Sequence, residues 1–360
     1  MIPLLTVLIA AAAHGAEITV LPPALRGDIG IAYGVTVVPD VLLEGDTEVG
    51  RRRAIDHELT YSTRFGLTDI LAFELALPQA ASSRLRFFES QRMVYDPNAG
   101  TGTMIGTDPL PSDPEIHGKG LGGSRVSLAF TPFSESAYAA RGDDITWLMR
   151  VGYQLQDKTN IWTHEAGERG ATDGASSLRF ETAFSTTNNM SQPYLGLRYD
   201  KHFPLRTNIV AANGDVVARN LDVQIADSVT LTTGLEIEVY RNEDFANGLG
   251  TVLLLDPAVR FGWHGGAEIP SGVHLPSVLT QTRGTLVGQS ETSEIWAGMG
   301  MTWRIIRYLD WDTSFEMGSP LAYRVEHPYA VSTGMGKLGW AVGTGLTFRM
   351  RDPLFDPPAQ

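Results

Sequence analysis

The chain has 360 residues, no cysteine and a formal net charge of −13. The missing thiols exclude a disulfide framework and cysteine-type zinc sites, and an acidic chain without a basic patch is not built for nucleic acid. Beyond residue 17 no apolar run is long enough for a membrane-spanning helix, so helical membrane proteins are excluded and β-barrels remain open.

The chain begins MIPLLTVLIAAAAHGAE, apolar from Ile2 to Ala13 and then small. This is the h-region and cleavage zone of a secretory signal, expected over residues 1–16. Ala11 and Ala13 fit a cut before His14, and cuts after Gly15 or Ala16 fit as well. No Lys or Arg precedes the run, so the α-amine supplies its only positive charge. Residues 17–351 are then expected to form one barrel, and 352–360 a periplasmic tail.

About twelve segments alternate apolar and polar residues with period two, the mark of a strand with two different faces. In the first, Ile29, Ile31, Tyr33, Val35 and Val37 oppose Asp28, Gly30, Ala32, Gly34 and Thr36. A polar stretch from Pro39 to Asp56, with Arg51, Arg52 and Arg53, reads as a loop. Arg64 to Pro78 is the clearest hairpin: alternation runs up to and away from a Gly66-Leu67-Thr68-Asp69 turn. The fourth to seventh strands centre on Leu128, Val151, Phe180 and Leu197, and the eighth runs Val229 to Val239. The ninth to twelfth centre on Phe261, Met299, Trp311 and Val342.

A sheet with one oily and one charged face fits a soluble sandwich or a membrane barrel with a wet lumen. Connection lengths separate the two. Long connections follow strands one, three, five, seven, nine and eleven, and shorter ones follow two, four, six, eight and ten. Outer-membrane barrels have this asymmetry, with short periplasmic turns and long outer loops. Trp or Tyr near many strand ends fits an aromatic girdle. The expected fold is all-β: a closed antiparallel transmembrane β-barrel of about twelve strands, in contact with outer-membrane lipid.

The hairpin RFGLTDILAFELALP resembles the GLTD hairpin of the MetA-pathway phenol-degradation family of outer-membrane transporters. Gly120-Leu121-Gly122-Gly123-Ser124-Arg125-Val126 resembles that family's GLGD strand start, with Gly123 where Asp is usual, and Gly343 to Arg349 resembles its terminal strand. The resemblance implies an exported channel for small molecules, hydrophobic or aromatic compounds among them. It carries no catalytic residues.

A cation facing lipid at the midplane costs roughly 2–4 kcal/mol, so the charges opposite the apolar faces belong in the lumen. The candidates are Glu58, Arg64, Glu74, Arg125, Arg150, Arg179, Glu181, Arg198, Glu236, Glu238, Arg260, Arg304, Asp310, Asp312 and Glu316. They could select small-molecule solutes by charge, or pair across the lumen and plug it. Small residues on the same face, Gly30, Gly34, Gly196, Gly234, Gly298, Gly300, Gly343 and Gly345, favour open space.

Other signals are weaker. Gly118 to Gly123 contains a formal G-x-G-x-x-G, but it leads into a strand and not a helix, so nucleotide binding is discarded. His164-Glu165 lacks the second His of a zincin, and no G-x-S-x-G occurs. Asp108, Asp113 and Glu115 could bind Ca²⁺, but scattered loop acids read first as solvated. No metal or cofactor is expected. Passive transport by a non-enzymatic channel is the leading reading. One alternative is a barrel lipid hydrolase, with His202, His264 or His327 and a serine facing outward at the rim. Another is a plugged structural or adhesive surface barrel.

Overall fold

An alternating chain can satisfy its backbone in a bilayer only if every strand bonds to a neighbour on each side. In the computed structural model this is achieved by a continuous meander. The structure describes residues 21–350 apart from 23, 45–46, 89–90, 96–103, 110–114, 134–144, 157–166, 170–173, 187–189, 211–215, 243–250, 271–285, 307 and 328–329. Residues 1–20 and 351–360, with the expected signal and tail, lie outside the described residues, as do His164 and Glu165.

The wall consists of β1 (Gly27–Glu44), β2 (Thr47–Thr68), β3 (Leu71–Phe88), β4 (Arg125–Phe133), β5 (Ile145–Gln154) and β6 (Ser177–Thr186). It continues with β7 (Ser191–His202), β8 (Ser228–Asn242), β9 (Thr251–His264), β10 (Thr292–Ile306), β11 (Leu309–Pro320) and β12 (Gly339–Arg349). Each pairs antiparallel with the next. The ring closes where β12 pairs with β1, from Asp28 opposite Arg349 to Val37 opposite Trp340. All twelve sequence-predicted strands are present in the wall.

One end carries both chain ends of the wall and the short turns. Between β2 and β3 only Asp69 and Ile70 intervene, and the Ile70 N–H donates to the Thr68 hydroxyl at 3.3 Å. The other end carries the long connections, and much of these is strand. Residues 115–121 pair with the upper half of β3, and 330–336 pair with both 323–327 and β1. Of the Gly118 to Gly123 run, Gly118 to Leu121 end a strand and Gly122 and Gly123 lead into β4, and no helix follows.

One expectation is corrected. Pro39 to Asp56 is not a loop: β1 and β2 run through it, and Leu42 is opposite Gly50. Asp40 and Arg52 face each other across this pair and bond side chain to side chain. The Tyr323 hydroxyl donates to Asp40 Oδ2 at 2.8 Å, and all three groups are buried. A strand held by a polar network has no apolar alternation to announce it.

The outer face is apolar. Leu128 is 52% exposed and Val151 49%, each within its strand, and Phe348 near the end of β12 is 49% exposed. Aromatic residues gather toward its ends. At the turn end Trp147 stacks between Phe133 and Phe184, with centroids 6.2 and 5.6 Å away, and Trp303 lies 6.1 Å from Trp311. Tyr153, Trp263 and Trp340 are exposed nearer the loop end. The segment before β1 folds back at the turn end, where the Leu25 N–H donates to the Gly66 carbonyl at 2.7 Å. Leu21 is buried in a cluster with Ala72, Ala129, Leu148 and Ala183, small or apolar side chains from β3, β4, β5 and β6.

Candidate functional site in the barrel lumen

Register carries the polar faces of successive strands into common rows. Glu74, Ser127, Gly152, Arg179, Asp200, Ser228, His264 and Thr292 stand opposite one another from β3 to β10. The next row contains Ala129, Arg150, Glu181, Arg198, Thr230 and Gly262. These side chains alternate with lipid-facing ones, so the rows turn inward together.

Part of these rows, among them Glu74, Ser127, Arg150, Arg179, Glu181, Arg198 and Thr230, lines a cavity of about 310 Å³ to which every barrel strand except β9 and β10 contributes. Eight of the sequence candidates line it: Arg64, Glu74, Arg125, Arg150, Arg179, Glu181, Arg198 and Asp312. Asp28 lines it as well, and Ser62, Ser127, Thr230, Thr232 and Thr347 supply hydroxyls. The mixture of guanidinium, carboxylate and hydroxyl groups suits water and polar solutes.

Arg150 is the hub. Its Nε lies 2.7 Å from Glu74 Oε2 and its Nη1 2.5 Å from Glu181 Oε1, so one cation joins β3, β5 and β6. Arg64 Nη2 meets Asp28 at 2.9 Å. Arg179 and Arg198 share Asp200, at 2.6 and 3.0 Å. Arg260 on β9 reaches Glu316 on β11 at 2.9 Å. Arg304 meets Asp310 at 2.9 Å, and Arg349 bonds the other oxygen of the same carboxylate. Asp312 accepts from the Thr302 hydroxyl at 2.9 Å, and Glu58 from Thr60 at 2.8 Å. Glu236 is buried on β8. Glu238 lies beside a register shift near the end of β8, and its carboxylate engages Arg241.

Several participants were absent from the sequence candidates. Asp28 and Asp200 sit two residues from the inward-facing Gly30 and Arg198, and that spacing was the available signal. Tyr194 donates to Asp256 at 2.9 Å, and the indole of Trp296 donates to Glu294 at 3.1 Å. These aromatic residues cover glycines: a Cβ on Gly318 would meet Trp296 Cδ2 at 2.4 Å. Nothing in the local sequence marks an aromatic residue as inward when its neighbours of the same type face lipid.

The histidines divide. His202 is opposite Ser177, and His264 opposite Ser228, both on inward rows. His264 Nε2 is 3.6 Å from Glu294 Oε1. Ser228 Oγ, His264 Nε2 and His202 Nδ1 have no hydrogen bond among the described residues. His327 ends the strand 323–327, and its side chain is outside the described residues. Among the described residues no group of His, Asp and Glu has the arrangement of a metal site.

No protein-family model and no curated protein matches this chain. Solved structures do. An outer membrane channel from Pseudomonas putida F1 aligns over 92% of this chain and 98% of its own, with a TM-score of 0.51 and 11% identity. A FadL homologue from Pseudomonas aeruginosa covers 90% of each chain, at a TM-score of 0.42 and 9% identity. A mutant of the TodX monoaromatic hydrocarbon channel covers 96% of this chain and 94% of its own, at a TM-score of 0.40 and 8% identity. The architecture shared with the first of these is that of an outer-membrane β-barrel.

Proposed function

We propose that this protein is a passive channel of the outer membrane, admitting small molecules through its lumen. The observation that carries the reading is the lumen itself: a closed, apolar-coated wall encloses a cavity of about 310 Å³ lined by charged and hydroxyl side chains. Fold likeness to an outer membrane channel supports the same reading. The short-turn end is periplasmic and the long connections face outward. Resemblance to the phenol-degradation transporters makes aromatic compounds the first solutes to try.

A plugged barrel is the competing reading, and the ion pairs weigh against it. Those described above join strands at most two apart, so they run along the wall and not across the lumen. A lipid hydrolase would need a serine and histidine hydrogen-bonded and facing outward. The pairs at His202 and His264 lie on inward rows and lack that bond.

The test begins with export of the full chain in a Gram-negative host and electrophoresis of outer membranes with and without boiling. A heat-dependent shift marks the folded barrel. Purified barrel in planar bilayers is then expected to give stepwise conductance. Heat-shifting barrel that never conducts would overturn the channel reading in favour of the plug.

A further inference from the structure

The lumen is electrically lopsided. Arg125, Arg150, Arg179 and Arg198 come from four adjacent strands, β4 to β7, and all line the cavity. Three carboxylates serve them. Glu74 and Glu181 clasp Arg150, and Asp200 is divided between Arg179 and Arg198. The Arg198 share is poor: Nε and Oδ2 are 3.0 Å apart, yet neither atom makes a hydrogen bond among the described residues.

Arg125 has no carboxylate within 4.0 Å among the described residues, and its Nη2 donates to the amide oxygen of Gln154 at 3.2 Å. The β8 to β11 side is the reverse. It carries Glu236, Glu238, Asp256, Glu294, Asp310, Asp312 and Glu316 against Arg241, Arg260 and Arg304, and of these acids Asp312 lines the cavity.

We infer that the β4 to β7 face is a subsite for a small organic carboxylate, held between Arg125, Arg179 and Arg198. Arg125, and Arg198, whose Nη2 donates to the Thr230 hydroxyl at 3.2 Å while its Nε makes no hydrogen bond among the described residues, supply charge-assisted donors beside Arg179, and a guanidinium fork matches a carboxylate's two oxygens. The low-dielectric barrel wall focuses the field of the excess cation into the cavity. Room exists beside them: a Cβ on Gly196 would find only Ala183 Cβ, at 3.8 Å. Hydroxyls of Ser127, Thr230 and Thr232 line the same space. Asp312 on β11 also lines the cavity and repels the same solute, so a bound carboxylate is oriented with its anionic end toward β4 to β7. Transport through the subsite rests on the channel reading above; binding does not.

The test uses the full-length barrel in detergent, titrated calorimetrically with sodium benzoate, benzyl alcohol and benzamidine. Benzoate is expected to bind saturably and at least about tenfold more tightly than its neutral and cationic analogues, the ratio that one charge-assisted bond supplies. Arg125→Gln should remove most of that preference, and Arg125→Lys should retain part of it, with the heat shift of both intact. In bilayers under a KCl gradient, Arg125→Gln should move the reversal potential toward cation selectivity. Equal binding of the three probes, or an unchanged benzoate affinity in a folded Arg125→Gln barrel, overturns the subsite. Benzoate preference without conductance would keep the subsite and discard the channel. Conductance without benzoate preference would do the opposite.

Discussion

The ring of Tyr194 on β7 lies directly over Gly234 on β8: a Cβ built on Gly234 would fall 2.3 Å from the Tyr194 hydroxyl oxygen and 2.4 Å from Cζ. The same hydroxyl donates to Asp256 on β9. The glycine is thus the gap through which Tyr194 reaches one strand beyond its neighbour, tying three strands together on the inner wall.

Gly234→Ala should therefore push the ring off its seat and loosen the Asp256 bond. Overpacking of this kind costs typically 1–3 kcal/mol. Urea unfolding of the detergent-folded barrel, followed by the heat-dependent gel shift, is expected to show a midpoint lowered accordingly. Adding Tyr194→Ala to Gly234→Ala should recover part of the loss, because the clash disappears. A single variant as stable as the parent would refute the contact.

Replacing Arg150 with Met leaves Glu74 and Glu181 facing the lumen without their shared cation. Removing one member of a buried pair costs roughly 3–5 kcal/mol, and lumen water should lower that figure here. The triple variant Arg150→Met, Glu74→Gln, Glu181→Gln removes the orphaned charges too. Its unfolding midpoint is expected to lie well above that of Arg150→Met alone. If the single and triple variants unfold together, the three groups do not form a unit.

Leu128 and Ser127 are adjacent and face opposite ways, one exposed on the apolar outside and one lining the cavity. Leu128→Arg should cost roughly 2–4 kcal/mol of folding free energy in phospholipid vesicles, the depth-dependent cost of a cation toward lipid. Ser127→Ala should change it little. Equal tolerance of both substitutions would mean that the outer face does not meet hydrocarbon.

Leu21 is held at the short-turn end by Ala72, Ala129, Leu148 and Ala183. Fully burying such a side chain is worth about 1.5–3 kcal/mol. Leu21→Ser should release the segment before β1 from this nest and raise single-channel conductance, with the reversal potential unaltered. A conductance identical to the parent's would show that this segment does not narrow the path.

The membrane part of the wall was legible in the sequence because lipid and lumen impose opposite demands on alternate residues. Leu128 beside Ser127, or Val151 beside Arg150, records that demand in two letters. Above the membrane it lapses. There Asp40, Arg52 and Tyr323 hold strands together through polar bonds, and the stretch from Pro39 to Asp56 reads as a loop although it is paired throughout most of its length. The candidate charges were legible as a face but not as pairs. Arg150 reaches Glu74 from two strands away, and Tyr194 reaches Asp256 across an intervening glycine. Such partners depend on register and shear, which no local pattern encodes. Glu238 shows the opposite limit: its alternation points inward, but the register shift between Glu238 and Tyr240 and the nearby Arg241 give it a local partner at the mouth.

The bonding of β12 to β1 has a consequence for biogenesis. A polypeptide whose last strand completes the hydrogen bonds of its first has no partly finished form that hydrocarbon will accept, since any earlier stopping point leaves two rows of bare N–H and C=O groups. A ribosome stalled before Gly339 would deliver a chain in which Leu309–Pro320 and Gly27–Glu44 each keep one neighbour and expose one bare edge, fit for aggregation or for a protease and not for a membrane. Quality control of this protein is therefore written into its final eleven-residue strand.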